Sequence, residues 1–331
     1  MMGLLVTITP TIIQGVSNIK TEPQTGYIQY KGSEYGQQLL QKHIQTSIKT
    51  LQISKTADRS SKSIRQAPSE IQRIEASVKP TNSKSPDTIA SANTLEIRVA
   101  ILESQSLEIA SSTSAQLQAA DQTPLFTLEA GTSYSTISLE SNIQIGKEEL
   151  PPAVWIDPLD PNEAIYVNGD GYRGKLLIVN IGDRLLVVNQ VGLEDYITSV
   201  TGSEMYSHWS PEALKAQAIA ARSYGLNHYQ APMNRYFDIC SDEKCQVYKG
   251  IQAESSSAQA AALETQNQIL VNPNQTPYLA QYSATAEITQ SAHNGHGMPQ
   301  IEAEKLALKG WNYRQILERY YPAATLALVS P

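Results

Sequence analysis

Residues 191–224 constrain the fold most, because two helical patterns follow one another there and the second consists largely of small side chains. Ser210 suits the N-cap of the second helix, and Pro211 suits its first helical position. Little side-chain bulk separates this helix from a neighbour, so we predict that it packs closely. The small residues are Ala213, Ala216, Ala218, Ala220 and Ala221.

Four long polar side chains interrupt this small-residue helix. An exposed polar face and a ligand-binding groove explain them equally well, and the spacing alone leaves both interpretations open. These residues are Lys215, Gln217, Arg222 and Tyr224.

The first helical pattern places an acid on its apolar face. Leu193, Ile197 and Val200 recur at helical spacing, and Glu204 takes the next position of that series. A desolvated carboxyl has a raised pKa and can act as a proton donor near neutral pH. The alternative is a structural acid that is hydrogen-bonded to backbone donors.

The first part of the chain differs in composition from the rest. Before Thr94 there are 11 of the 25 Lys and Arg residues and 6 of the 32 Asp and Glu residues, which leaves 14 and 26 after it. We therefore predict a basic, disordered stalk at residues 1–93, with helical patches around residues 37–53, and a folded domain at 94–325. The alternative is a small helical domain at the start.

Residues 1–13 are apolar but lack the positively charged N-terminal region and the clear cleavage site of a signal peptide. We therefore interpret them as a poorly defined signal segment. They are too short to span a bilayer, and we expect no transmembrane span. A truncated signal and a cytoplasmic chain are the two interpretations. The acidic balance after residue 94 argues against nucleic acid as a partner.

The pattern after residue 94 predicts an α+β fold, with a β-rich part followed by a helical face that carries the site. Apolar runs on either side of Gly182-Asp183 indicate a tight hairpin whose two faces are both covered. A helix is predicted at 301–319. The other predicted strands lie at 95–101, 106–110, 125–129 and 135–139.

Much of residues 95–325 resembles the SpoIID/LytB family of stage II sporulation protein D and amidase enhancers. Tyr206 stands where that family commonly has proline. The matching segments are 193–196 (LEDY), 204–205 (EM), Trp209, 211–218 (PEALKAQA), 220–224 (AARSY), 172–174 (YRG), 188–189 (VN), 238–240 (DIC), 245–248 (CQVY), 310–313 (GWNY) and 321–322 (YP).

The resemblance implies a lytic transglycosylase that cleaves peptidoglycan glycan strands stripped of stem peptides, with Glu204 as the catalytic acid. Such an enzyme forms 1,6-anhydroMurNAc ends, needs no cofactor and acts in the cell envelope. The alternative is a non-catalytic glycan-binding module that recruits or stimulates an N-acetylmuramoyl-L-alanine amidase, and a purely structural role comes third. The expected groove residues are Arg222, Gln217, Tyr172, Arg173, His296, Gln300, Tyr282 and Ser283.

The C-terminal motifs depart from the family pattern. Residues 282–289 (YSATAEIT) lack the histidine and the two glycines of the usual segment, so a backbone that needs positive φ is expected to be altered. Residues 295–300 (GHGMPQ) resemble a longer glycine-rich motif. His296 is expected either to hold the sugar or the acid, or to sit in a tight loop.

Cys240 and Cys245 are the two cysteines of the chain. In an exported protein they can close a short disulfide loop. Some members of the family bind zinc with cysteines of this segment and a histidine, but Lys244 replaces that histidine here. A disulfide, a zinc site and free thiols therefore remain the alternatives, in that order.

Overall fold

The computed structural model describes residues 95–329, and the fold of this part is α+β, as predicted. The predicted stalk at 1–93, its helical patches and the apolar start at 1–13 lie outside the described residues. Among residues 95–329, no helix combines the length and the apolar content that crossing a membrane requires.

The larger sheet has seven strands. The edge strand at residues 239–240 lies parallel to the strand at 96–104, and all other neighbouring strands are antiparallel. In spatial order the strands are β13 (Ile239–Cys240), β1 (Glu96–Ser104), β12 (Leu185–Gly192), β11 (Lys175–Asn180), β8 (Ala153–Pro158), β3 (Ala115–Ala119) and β4 (Pro124–Leu128).

A second, antiparallel sheet of six strands contains β10 (Asp170–Tyr172), β9 (Ile165–Val167), β2 (Ser106–Ser111), β5 (Tyr134–Leu139), β6 (Asn142–Ile145) and β7 (Glu148–Leu150). Two short pairs complete the strands. They are β14 (Gln268–Val271) with β17 (Thr325–Leu328), and β15 (Tyr282–Ser283) with β16 (Met298–Pro299).

The predicted hairpin is confirmed as β11 and β12, with Gly182 in the turn at a φ of 112°. Its strands are apolar almost throughout because both faces of the sheet are covered. One face, including Ile178 and Val187, joins the main core. The other face, including Val179 and Val188, lies under Trp155, Tyr236 and Phe237 in a separate apolar cluster.

Six helices lie in residues 95–329: α1 (Leu193–Glu204), α2 (Pro211–Gln230), α3 (Ser256–Glu264), α4 (Ala286–His293), α5 (Gln300–Leu308) and α6 (Tyr313–Tyr320). The predicted single helix at 301–319 is therefore wrong. Gly310, at a φ of 90°, breaks it, and Asn312 starts α6 with a capping box to Gln315.

The alanine face of α2 is buried, as its sequence predicts, and this helix packs against α1, α3, α5 and α6. Ser210 occupies the N-cap position, but its side chain makes no capping hydrogen bond. Its backbone N–H instead donates to Glu304 of α5 at 2.9 Å. The start of α2 is thus fixed by another helix.

α1 approaches a short 3₁₀ helix, Gly250–Ala253, very closely. A Cβ at Gly202 would lie 1.9 Å from the carbonyl oxygen of Ala253, so only glycine fits there. One turn earlier, the Ser199 hydroxyl donates to the carbonyl oxygen of Gly250 at 2.8 Å. These contacts hold the chain that follows Cys245 against α1.

Candidate active site

Glu204 is the last residue of α1, where the buried stripe of Leu193, Ile197 and Val200 reaches the surface. Its side chain is half-buried. The backbone N–H of Val247 donates to Oε1 at 2.9 Å, and Nε2 of Gln300 donates to Oε2 at 3.4 Å. Three separate segments therefore meet at this carboxyl.

Burial raises the pKa of Glu204 above its ordinary value. The hydrogen bonds from Val247 and Gln300 act in the opposite direction, because they favour the ionised carboxylate. At 3.4 Å the Gln300 bond is long, and its effect is accordingly weak. The net result is a carboxyl that holds its proton to higher pH than a solvated glutamate.

The side chain of Gln246 ties this site to the core. Its Oε1 accepts from the Tyr196 hydroxyl at 2.7 Å, and its Nε2 donates to the Tyr282 hydroxyl at 2.9 Å and to the carbonyl oxygen of Ala221 at 3.3 Å. Gln246 and Tyr196 are fully buried. This network fixes the backbone at Val247, and hence the donor to Glu204.

Pairing of β15 with β16 places Tyr282 and Gln300, two of the expected groove residues, close to Glu204. The register places Tyr282 beside Met298 and Ser283 beside Pro299, directly before Gln300. Burial raises the pKa of Tyr282, and the nearby Glu204 carboxyl raises it further. The Ser283 hydroxyl instead bonds within its own loop, to the Thr285 carbonyl oxygen at 3.1 Å and the Thr289 hydroxyl at 2.5 Å.

Gln217 is fully buried, and neither polar atom of its amide has a hydrogen-bond partner among the described residues. It lies one helical turn before Ala221, on the face of α2 that meets Gln246. Gln217 therefore lies on the core side of the Glu204 site. A buried amide without partners is costly, since each unpaired group loses its hydration.

Arg222 does not face the groove. Its side chain is 1 % exposed, and it forms a two-pronged ion pair with Glu194, with Nε–Oε1 at 3.0 Å and Nη2–Oε2 at 2.6 Å. Further bonds reach the carbonyl oxygens of Gln268 and Ala262, both at 3.1 Å. With its donors occupied inside the protein, Arg222 joins α2 to α1 and α3.

Tyr172 and Arg173 form a neighbouring cluster. Arg173 pairs with Glu254, with two bonds of 2.8 Å, and remains half-exposed. Tyr172 is buried, its ring centroid lies 6.0 Å from that of Tyr248, and burial raises its pKa to about 12. Tyr248 follows Val247, so this cluster supports the donor side of the Glu204 site.

His296 is exposed and sits in a tight turn, with Gly297 at a φ of 128° and a Cβ there only 2.6 Å from the Gln281 carbonyl oxygen. The turn borders a cavity of about 490 Å³. Glu204 and Gln300 are not among the residues that line this cavity. The polar lining includes Asn227, Asn272, Tyr278, Gln281, His293 and His296.

The segment 282–289 accommodates the loss of its glycines. None of its residues has a positive φ, and α4 begins within it, capped by the Thr285 hydroxyl. Ala286 and Glu287, which stand at the positions of the two missing glycines, are therefore compatible with the backbone. The sequence predicts an altered backbone in this segment, and the structure shows the start of helix α4 there.

Cys240 and Cys245 form a disulfide, with a Cα–Cα distance of 5.7 Å. Asp242 lies beside the two sulfurs. A thiolate is the form that binds zinc, and a disulfide offers none, while Lys244 is exposed where the family's histidine is expected. These residues do not fit a zinc site, and the loop they close leads directly into Gln246 and Val247.

The sequence predicts no role for Gln246, Val247 or Tyr196, although all three lie in the 245–248 and 193–196 segments that match the family pattern. The available signal for Gln246 was its place in the matched 245–248 segment. No side-chain pattern indicates the role of Val247, because its backbone N–H is the functional group.

The disulfide should stabilise the protein and limit metal binding. Reduction of the disulfide should lower the melting temperature. The expected loss in the free energy of unfolding is about 2 kcal/mol, because the closed loop is short. A non-reducing peptide map should show Cys240 linked to Cys245, and elemental analysis should find less than one zinc per chain. One tightly held zinc per chain would contradict this assignment.

Arg222→Lys should lower the free energy of unfolding by roughly 3 kcal/mol, because one ammonium cannot reproduce the bonds of a buried guanidinium. Thermal unfolding measures this. Arg173→Lys is the matched control, since its half-exposed pair is worth about 1 kcal/mol or less. Weaker glycan binding by the Arg222→Lys variant at unchanged stability would contradict this structural role and indicate that Arg222 contacts the glycan.

Residues 182–272 match the family model described as SpoIID, Stage II sporulation protein. An uncharacterized protein of Brachyspira hyodysenteriae is 36 % identical over 113 residues, which cover 34 % of this chain and 31 % of that protein. Uncharacterized proteins of Chlamydia muridarum and Chlamydia pneumoniae are 28 % and 26 % identical, over 53 % and 50 % of this chain and 56 % of each relative.

The chain thus spans from about a third to just over half of the length of these relatives. The matched family is linked to peptidoglycan processes of the cell wall. The matched segment contains Glu204, Gln217, Arg222, Gln246 and Val247. The part of the chain that builds most of the Glu204 site, residues 182–272, is the part that matches the SpoIID family model.

Proposed function

We propose that this chain is a lytic transglycosylase that cleaves peptidoglycan glycan strands, with Glu204 as both acid and base. The observation that supports this most is the position of the Glu204 carboxyl. It is half-buried at a helix end, has a raised pKa, and is held by donors from two other segments. A solvated surface acid has none of these properties.

In the proposed reaction, protonated Glu204 donates its proton to the glycosidic oxygen as the C1–O bond of MurNAc breaks. The C6 hydroxyl of the same sugar then attacks C1 and forms the C1–O6 bond. Its proton passes to the Glu204 carboxylate, which restores the starting state. No water is consumed, so a single carboxyl suffices where ordinary glycosidases use two.

Val247 and Gln300 suit both protonation states of this acid. The Val247 N–H keeps Oε1 in place throughout the cycle. The Gln300 amide can donate to the carboxylate, and after a 180° turn its oxygen can accept the proton of the acid. The same two residues can therefore orient the proton donor and the proton acceptor.

The second candidate is a glycan-binding module that recruits or stimulates an amidase. The departures at residues 282–289 and the shortened motif at 295–300 favour it, because these two segments contribute Tyr282 and Gln300 to the site. Under either function the chain works in the cell envelope. The Cys240–Cys245 disulfide supports that location, since such bonds persist in oxidising compartments.

Digestion of peptide-free glycan strands should release 1,6-anhydro ends, which mass spectrometry detects as one water less than a hydrolysed end. Glu204→Gln should reduce this release by at least about 100-fold, since it removes the transferable proton and keeps the shape of the side chain. The matched control is Glu243→Gln, which removes the exposed acid that interacts electrostatically with Glu204.

Glu243→Gln should retain activity if one carboxyl performs the reaction. Ordinary reducing ends, together with loss of activity in both variants, would instead indicate a two-carboxylate hydrolase. Binding of the strands without any cleavage by the unaltered protein would support the module.

A further inference from the structure

Three aromatic rings form an exposed platform immediately after Glu204. The Tyr206 ring stacks on the His208 ring, with centroids 5.6 Å apart and planes at 29°. Its other contact is edge-on with Trp209, at 5.5 Å. Tyr206 is 67 % exposed, so one face of a large ring is open to solvent while its neighbours support it.

The platform lies next to the acid. Tyr206 lies two positions after Glu204, so their Cα atoms are at most about 7 Å apart. Met205 between them is extended and buried. Because successive side chains of an extended segment point to opposite sides, Tyr206 leaves the chain on the side away from the core.

The loop that carries the platform is fixed at several points. The Trp209 N–H donates to the Tyr206 carbonyl oxygen at 3.0 Å, and the Ser257 hydroxyl of α3 donates to the Ser207 carbonyl oxygen at 2.7 Å. The Ser210 N–H donates to Glu304 at 2.9 Å. Tyr206 is thus exposed without being on a loose segment, which reduces the entropy lost on binding.

Charged side chains of both signs act on the adjacent Glu204 carboxyl. Exposed Glu243 and Lys249 both interact with the Glu204 carboxyl, and their signs are opposite. The open face of the Tyr206 ring carries no charged group of its own, so it does not select a strongly charged ligand. A pyranose ring fits better, because its C–H face is apolar and slightly positive and an aromatic face is negative. The Tyr206 hydroxyl adds a polar tip for a sugar hydroxyl.

We propose that Tyr206, supported by His208 and Trp209, is a sugar-stacking residue that binds the glycan ring adjacent to the bond at Glu204. This inference rests on the proposed function and specifies which part of the substrate the site recognises: the face of the sugar ring, not a stem peptide.

The test measures binding of sized, peptide-free glycan strands by calorimetry, with Glu204→Gln as the parent so that no strand is cleaved. Tyr206→Ala in that parent should weaken binding about fivefold, the order expected for one aromatic contact. Tyr206→Phe should stay within about twofold, because it keeps the ring. Leu159→Ala, at a side chain 65 % exposed, controls for loss of apolar surface and should change nothing.

Equal binding by the Tyr206→Ala protein would overturn the stacking role and leave the proposed function intact. Weakening by Tyr206→Phe as large as by alanine would also overturn it, since the hydroxyl would then be the binding group. If the parent itself binds no glycan, the proposed function fails and this inference fails with it. Melting temperatures of all variants verify that each is folded.

Discussion

The hydrogen bond from the Val247 N–H to Oε1 of Glu204 is the contact on which the site depends. It joins the end of α1 to the segment that follows the Cys240–Cys245 disulfide. That segment is itself fixed, because Gln246 is bonded to Tyr196, Tyr282 and Ala221. The core thus positions a backbone donor, and the donor positions the acid.

Two opposing effects set the proton affinity of Glu204. Burial removes water from the carboxyl and raises its pKa, while Val247 and Gln300 stabilise its ionised form and lower it. Burial is the larger effect, since the Gln300 bond is long at 3.4 Å. A fully sealed acid would be inaccessible to substrate, and a solvated one would ionise too early. The half-buried helix end lies between these limits.

The sequence was sufficient to predict α1, α2, the β11–β12 hairpin and the α+β fold, because each rests on local periodicity and turn chemistry. It also pointed to Glu204, as an acid on an apolar stripe. Arg222 was assigned to the groove because its partner Glu194 lies 28 residues earlier on another helix, and no local pattern shows such a pair. The break at Gly310 was missed because apolar spacing continues across it.

The central claim is that the fold keeps Glu204 protonated to higher pH than a solvated glutamate. Carbon-13 NMR of glutamate-labelled protein, titrated in parallel with the Glu204→Gln variant, isolates the signal of this carboxyl. Because burial raises the pKa of Glu204, we predict that its midpoint lies above that of the exposed glutamates in the same spectrum. A midpoint at or below theirs would show that the Val247 and Gln300 bonds outweigh burial, and would contradict the role of Glu204 as a proton donor.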